Sequence, residues 1–149
     1  MAGWKDFREI AAWQYARDLK ICVDVFLERP NVKQKHKLHD QLYDSARSGP
    51  RNIAEGFGKF GNKEFARFVR IAKGSEVEVL NHVIDLRDQN LITEDELILS
   101  ERAAKKAIRA AAGLIRHLES TPDPPRPPKR PKPPASGDDV HSKPDDNEL

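Results

Sequence analysis

Apolar residues recur along this chain at three- and four-residue intervals from about residue 7 to residue 119, and no stretch alternates as a strand would. Four amphipathic stretches follow from that spacing. In the first, about residues 7–28, Ala12, Tyr15, Ala16, Leu19, Cys22, Val23 and Phe26 mark one face, with Ile10, Trp13, Ile21 and Val25 on its flanks. A surface that wide implies cover on more than one side: a central helix of a monomeric bundle, or one that also faces another subunit. Asp6 with Glu9 predicts a capping-box-like start, and Pro30 ends the helix. The second stretch, about 36–57, places Leu38, Leu42, Ala46, Gly49, Ile53 and Phe57 together. The third, about 63–89 with Asn62 as its cap, carries Phe65, Phe68, Val69, Ala72, Val79, Val83 and Leu86. The fourth opens on a capping box, Thr93 and Glu96, with Ile92 and Leu97 as its hydrophobic staple. It runs to about residue 119 and turns Leu97, Ala104, Ala107, Ile108, Ala111, Leu114, Ile115 and Leu118 inward. Helices of about 20 to 27 residues, about 30 to 40 Å each, joined by short loops, predict an all-α, up-down-up-down four-helix bundle.

One stretch departs from a plain helix. Pro50 lacks an amide hydrogen and clashes with the preceding turn, so it predicts a kink in the second helix. Ser45, Ala46, Ser48 and Gly49 before it, and Gly56 after it, permit close helix contact. Asn52 and Glu55 share a face and are candidates for a buried polar pair at a packing or subunit contact. Gly74-Ser75 interrupts the third helix with the same close-contact signature.

Composition divides the chain in two. Nine of its 11 prolines fall between residues 122 and 144, a segment with almost no large apolar residues. Such a segment cannot bury enough surface to offset chain entropy, so residues 121–149 are expected to be a disordered tail and 1–120 the bundle domain. Residues 120–149 hold five Lys/Arg against six Asp/Glu, the remainder 21 against 18. That mild basicity does not by itself diagnose nucleic-acid binding. A single cysteine, Cys22, excludes an intramolecular disulfide. No signal peptide or membrane-length apolar run is visible, which points to a cytoplasmic protein with no membrane role.

Asn52-Ile53-Ala54-Glu55-Gly56, preceded by Gln41-Leu42, Ser48 and Pro50, continues through Phe65 and Phe68 to Ile71-Ala72-Lys73-Gly74-Ser75 and Glu78. With Trp13-Gln14 and Ala16, this ordered set resembles the bacterial four-helix-bundle family named after 23S rRNA intervening sequences. The resemblance covers roughly residues 4–118. It implies a left-handed bundle, frequent assembly as a ring-shaped homopentamer, and no catalytic activity. It marks Pro50, Asn52, Glu55, Gly56, Gly74, Ser75 and Glu78 as the structural motif. Because a buried carboxylate needs a partner, Glu55 and Glu78 are expected to accept hydrogen bonds from backbone or Asn52 where helices approach. The chain departs from the family where two arginines usually follow Gln-Leu; Tyr43 and Asp44 stand there, and basic charge has moved to the turn before that helix. A nucleic-acid role resting on that arginine pair therefore does not carry over.

Catalytic chemistry finds little footing. Glu78 with His82, and His36 with His39, are too few and too scattered for a metal site, and Gly56-x-Gly58-Lys59 lacks the context of a phosphate loop. No nucleophile, base and orienting group recur in a usable pattern, so no enzyme, metal or cofactor is expected. Basic residues are better organised. Lys59, Lys63, Arg67, Arg70 and Lys73 form one stripe down the third helix. Arg102, Lys105, Lys106, Arg109 and Arg116 form another on the fourth, and Lys33, Lys35 and Lys37 a compact basic turn. Each has a plain alternative as a solvated face, with Glu64, Glu76 and Glu101 interspersed. A ring would repeat the stripes and add their weak phosphate contacts together. The expected function is a non-enzymatic, pentameric RNA- or ribonucleoprotein-binding bundle. The alternative is a protein-interaction adaptor whose oligomer presents the tail and uses no nucleic acid. That tail, a basic polyproline segment (Arg126, Lys129, Arg130, Lys132) before an acidic end, is open to three readings: a plain solubilising tail first, or an arm that contacts RNA or a protein partner.

Overall fold

In the computed structural model, which describes residues 3–129 and 131, Asp6 caps only a 3-10 turn, Phe7–Glu9. Its carboxylate accepts from the Arg8 amide at 2.8 Å, one residue short of the amide a capping box engages, while the Glu9 carboxylate accepts from the Lys5 amide at 3.0 Å. Ile10 follows in extended conformation with its side chain buried, so the first helix is shorter than its pattern suggested: α1 spans Ala11–Leu27. Pro30 does not simply stop it. It takes the first position of a one-turn helix, α2 (Pro30–Lys33), where its missing N–H would have had no partner anyway.

The long helices α3 (His36–Phe57), α4 (Asn62–Asp88) and α5 (Glu94–Ser120) complete an all-α structure, with no strand among the described residues. Pro50 lies inside α3 and removes one rung of its hydrogen-bond ladder without ending it. The capping box of α5 is present in full. Thr93 Oγ1 accepts from the Glu96 amide at 3.2 Å, and Glu96 Oε1 accepts from the Thr93 amide at 2.9 Å.

α3 packs on α1 and α4, and α5 packs on α4 and α1. The predicted stripes meet in two apolar clusters. One joins Leu19, Val23 and Phe26 to Leu38, Leu42, Val79, Val83, Leu86, Ala104 and Ala107, and is closed by Val32 and Ile92 from the turns. The other joins Ile10, Ala12 and Ala16 to Ile53, Phe65, Val69, Ala72, Ala111, Leu114 and Leu118, with Trp4, Phe7 and Trp13 packed against it. Tyr15, placed on the inner face by its spacing, is instead 40% exposed. Ile21 and Val25 are also exposed on α1, as are Ile71, Val77 and Ile84 on α4.

The segment expected to be a tail from residue 121 onward folds back in its first three residues. The Asn62 carboxamide donates to the Thr121 and Pro122 carbonyls at 3.2 and 3.3 Å, and Asp123 reaches the start of α4. Residues 122–129 form no regular element. Arg130, Lys132 and the expected acidic end lie outside the described residues, as does the disorder expected of them.

Candidate nucleic-acid interface

The basic stripe begins where α3 turns into α4. Gly61 has φ of 91°, a left-handed conformation that a side chain would strain. A Cβ there would also stand 3.1 Å from the Asp123 carboxylate. Asn62 is therefore the first residue of α4 rather than its cap. The cap comes from elsewhere: Asp123 Oδ1 accepts from the Asn62 amide and, at 3.2 Å, from the Lys63 amide. These are amides that an α-helix leaves without internal partners, at its electropositive end.

Lys63, Arg67 and Arg70 are exposed and Lys73 is half-buried along α4, whereas Lys59, read as part of the helical stripe, lies exposed in the turn before it. Lys59 and Arg67 both lie over the Phe68 ring, at 5.4 and 4.6 Å from its centroid, which holds two cations of the stripe together. Carboxylates answer most of them. Glu64 pairs with Arg67 at 2.8 Å, and that hydrogen bond holds the Glu64 carboxyl below its usual range. Glu119 of α5 pairs with Arg70, and Glu55 lies 3.7 Å from Lys59. Exposed pairs of this kind are screened by solvent and contribute little to stability, so a phosphate can displace them.

The basic turn belongs to the other end of the molecule. Lys35 and Lys37 are exposed beside the start of α3, and Lys33 pairs with Glu28 at 3.0 Å. The length of α3, about 30 Å, separates this turn from Lys59. Within one chain the two basic groups do not form one surface. On α5, Arg102, Lys105, Lys106, Arg109 and Arg116 are exposed, and Lys105 pairs with Glu101 at 3.0 Å.

The structural motif is realised in part. Asn52 is buried, and its Nδ2 donates to the Ser48 carbonyl at 2.8 Å and to Ser48 Oγ at 3.0 Å. Ser75 Oγ lies 2.6 Å from Ser48 Oγ, which ties α3 to α4 through three small polar side chains. A Cβ on Gly56 would stand 2.7 Å from both Phe65 and Phe68, so the close approach of α3 and α4 requires glycine there. The Asn52–Glu55 pair does not form. Glu55 points outward to Lys59, and Glu78, half-exposed, lies 3.2 Å from His82 Nε2 rather than at a helix contact. Among the described residues, nothing outside its own helix lies within 4 Å of a would-be Cβ on Gly74, so the expected close helix contact is not seen there.

The buried carboxylate is Glu76, which the sequence placed among solvated residues. It is 1% exposed, and neither oxygen has a hydrogen-bond partner among the described residues. Gly49 and Ala16 stand beside it, the Gly49 Cβ position lying 3.5 Å from Glu76 Oε1. Burial alone pushes its pKa up to about 8. A signal existed: Val69, Ala72, Glu76, Val79 and Val83 continue one helical stripe, and only the charge argued against including it.

Among the described residues, no three His, Cys, Asp or Glu side chains gather as a metal cluster, and no helix is long and apolar enough to cross a membrane. An all-helical protein with cationic edges on its long helices is the class these features define. The family model described as 23S rRNA-intervening sequence protein matches residues 8–113, and the chain belongs to that family. Comparison with curated proteins returns no match.

Proposed function

We propose that this chain is a non-enzymatic, ring-forming, cytoplasmic helical bundle that binds RNA or a ribonucleoprotein through its basic helix faces. The up-down-up-down, left-handed arrangement belongs to the same reading: α3 and α5 each pack between α1 and α4, which leaves α1 and α4 on opposite corners. The observation that carries the proposal is the outer side of α4. There the stripe from Lys59 to Lys73 runs beside exposed Ile71, Val77 and Ile84 and the uncovered Gly74. A glycine inside a helix costs about 1 kcal/mol relative to alanine, and no contact among the described residues offsets it here. A second copy packing over Gly74 would. Exposed Tyr15, Ile21 and Val25 on the opposite corner supply a different patch to meet it. Two unlike patches in contact make the heterologous interface that closes into a ring, and a pentamer is the state expected of the family.

Light scattering on the purified protein tests the assembly, with a mass near five times 16.9 kDa expected. A gel-shift titration with structured rRNA tests the binding. Replacing Arg67 and Arg70 by Gln should preserve the fold and ring while weakening RNA binding and flattening its salt dependence. The second reading, an adaptor without nucleic acid, draws on the carboxylates already paired with Arg67 and Arg70. Absence of any salt-sensitive RNA binding by the wild-type ring would select it.

A further inference from the structure

The start of α4 is surrounded by almost balanced charge. Lys63, Arg67 and Arg70 face Glu64, Asp123 and Glu119, which leaves that end of the stripe close to neutral. One more cation lines the same shallow cavity of about 300 Å³, and it comes from beyond the last helix: Arg126. Among the described residues, no carboxylate lies within ion-pair distance of it. Arg126 is tethered three residues after Asp123, whose carboxylate is fixed on the amides of Asn62 and Lys63. Pro124 and Pro125 are the two residues between them. Proline restricts the intervening backbone to extended conformations, so a short tether of this kind delivers its cation to a defined place about 9 Å from the anchor.

We infer that residues 121–126 are a strap: Asp123 anchors it by capping α4, and Arg126 is carried into the phosphate-binding edge of α4 as a further RNA-binding residue. This rests on the RNA-binding reading above, and it sets a sign that charge alone would not. Removing Asp123 takes a negative charge away from the basic edge, so simple electrostatics predicts tighter RNA binding. The strap predicts the reverse, because Arg126 is released.

The test titrates a fluorescein-labelled RNA hairpin with the full-length protein across a series of salt concentrations. R126Q should lower affinity about threefold or more and reduce the salt slope by about 0.7 to 0.9, the share of one phosphate contact. D123A should weaken binding by a comparable factor, and the double variant D123A/R126Q no further than either alone. Where D123A folds poorly by circular dichroism, inserting Gly-Ser-Gly-Ser between Asp123 and Pro124 keeps the cap and every charge, and should still weaken binding. Wild-type-like binding by R126Q, or tighter binding by D123A, would overturn the strap while leaving RNA binding by α4 standing. A wild-type protein that shows no salt-sensitive binding to the hairpin removes the RNA reading and the strap with it.

Discussion

The two starts of α4 and α5 solve one problem in opposite ways. α5 caps itself: Thr93 and Glu96 exchange hydrogen bonds three residues apart, and Arg29 adds its own bonds to Glu96. Those bonds, the Arg29 hydrogen bond foremost, hold the Glu96 carboxyl down to about 2. α4 borrows its cap from Asp123, which follows α5 in sequence. A local cap forms as soon as its helix does. A borrowed one forms only once the chain has come back, so it ties the start of α4 to the completed fold. The end of the molecule holding α5's start is sealed by turns. The end holding α4's start is sealed by terminal segments.

Four changes would break or sharpen that contrast. The largest effect is expected where α3 and α4 touch beside the borrowed cap. Gly56→Leu drives a side chain into Phe65 and Phe68 and should destabilise the protein by about 3 kcal/mol in urea unfolding, with a steep fall in melting temperature.

Next is Glu76, between the two apolar clusters. Its folded pKa, about 8, lies above the unfolded value of 4.5, so the folded state keeps a proton that the unfolded state releases. Stability from this group is complete below about pH 4.5, falls as pH rises from there to about 8, and then levels off. Glu76→Met should therefore gain about 2 kcal/mol at pH 7 and lose that advantage near pH 4. Parallel urea curves at the two pH values decide it; an advantage that does not change with pH would show that the carboxyl is ionised or paired in the folded protein.

Truncation after residue 120 removes the borrowed cap and should cost about 1 to 2 kcal/mol, with faster hydrogen exchange at the Asn62 and Lys63 amides. Truncation after residue 129 keeps the cap and should melt with the full-length chain. Equal stability of the two truncations would reduce the borrowed cap to a surface contact. The smallest effect is expected for Thr93→Ala, about 1 kcal/mol, with exchange accelerating only at the start of α5.

The contrast also explains what could be read beforehand. The Thr93–Glu96 box and the limits of α3 were legible because their determinants lie within a few residues. The apolar stripes were legible for the same reason, as helical spacing fixes which side chains share a face. The failures were of two kinds. Asp6 and Glu9 have the residue types of a capping box, yet Ile10 is drawn into the core in extended form and splits the segment into a turn and a helix. Pro30 was read for what it ends, not for what it starts. Other misses were long-range. Nothing near Asn62 announces Asp123, and nothing in the charge of Glu76 announces its place in an apolar stripe. The basic residues were legible as stripes and a turn, but the pairing of Arg70 with Glu119 across helices, and the separation of the Lys33–Lys37 turn from Lys59, depend on the fold.

The closing of one end by both terminal segments has a mechanical consequence. Trp4 packs edge-on against His117, 5.9 Å between ring centroids, near the last turn of α5, and the strap leaves from that same turn. A pulling force applied through the two arms would act on neighbouring helices from a shared end. That loads the molecule as a zipper rather than in shear. On the C-terminal arm the hydrogen bonds of Asp123 and Asn62 stand first in line, whereas on the N-terminal arm Trp4, packed against the second apolar cluster, takes the load directly.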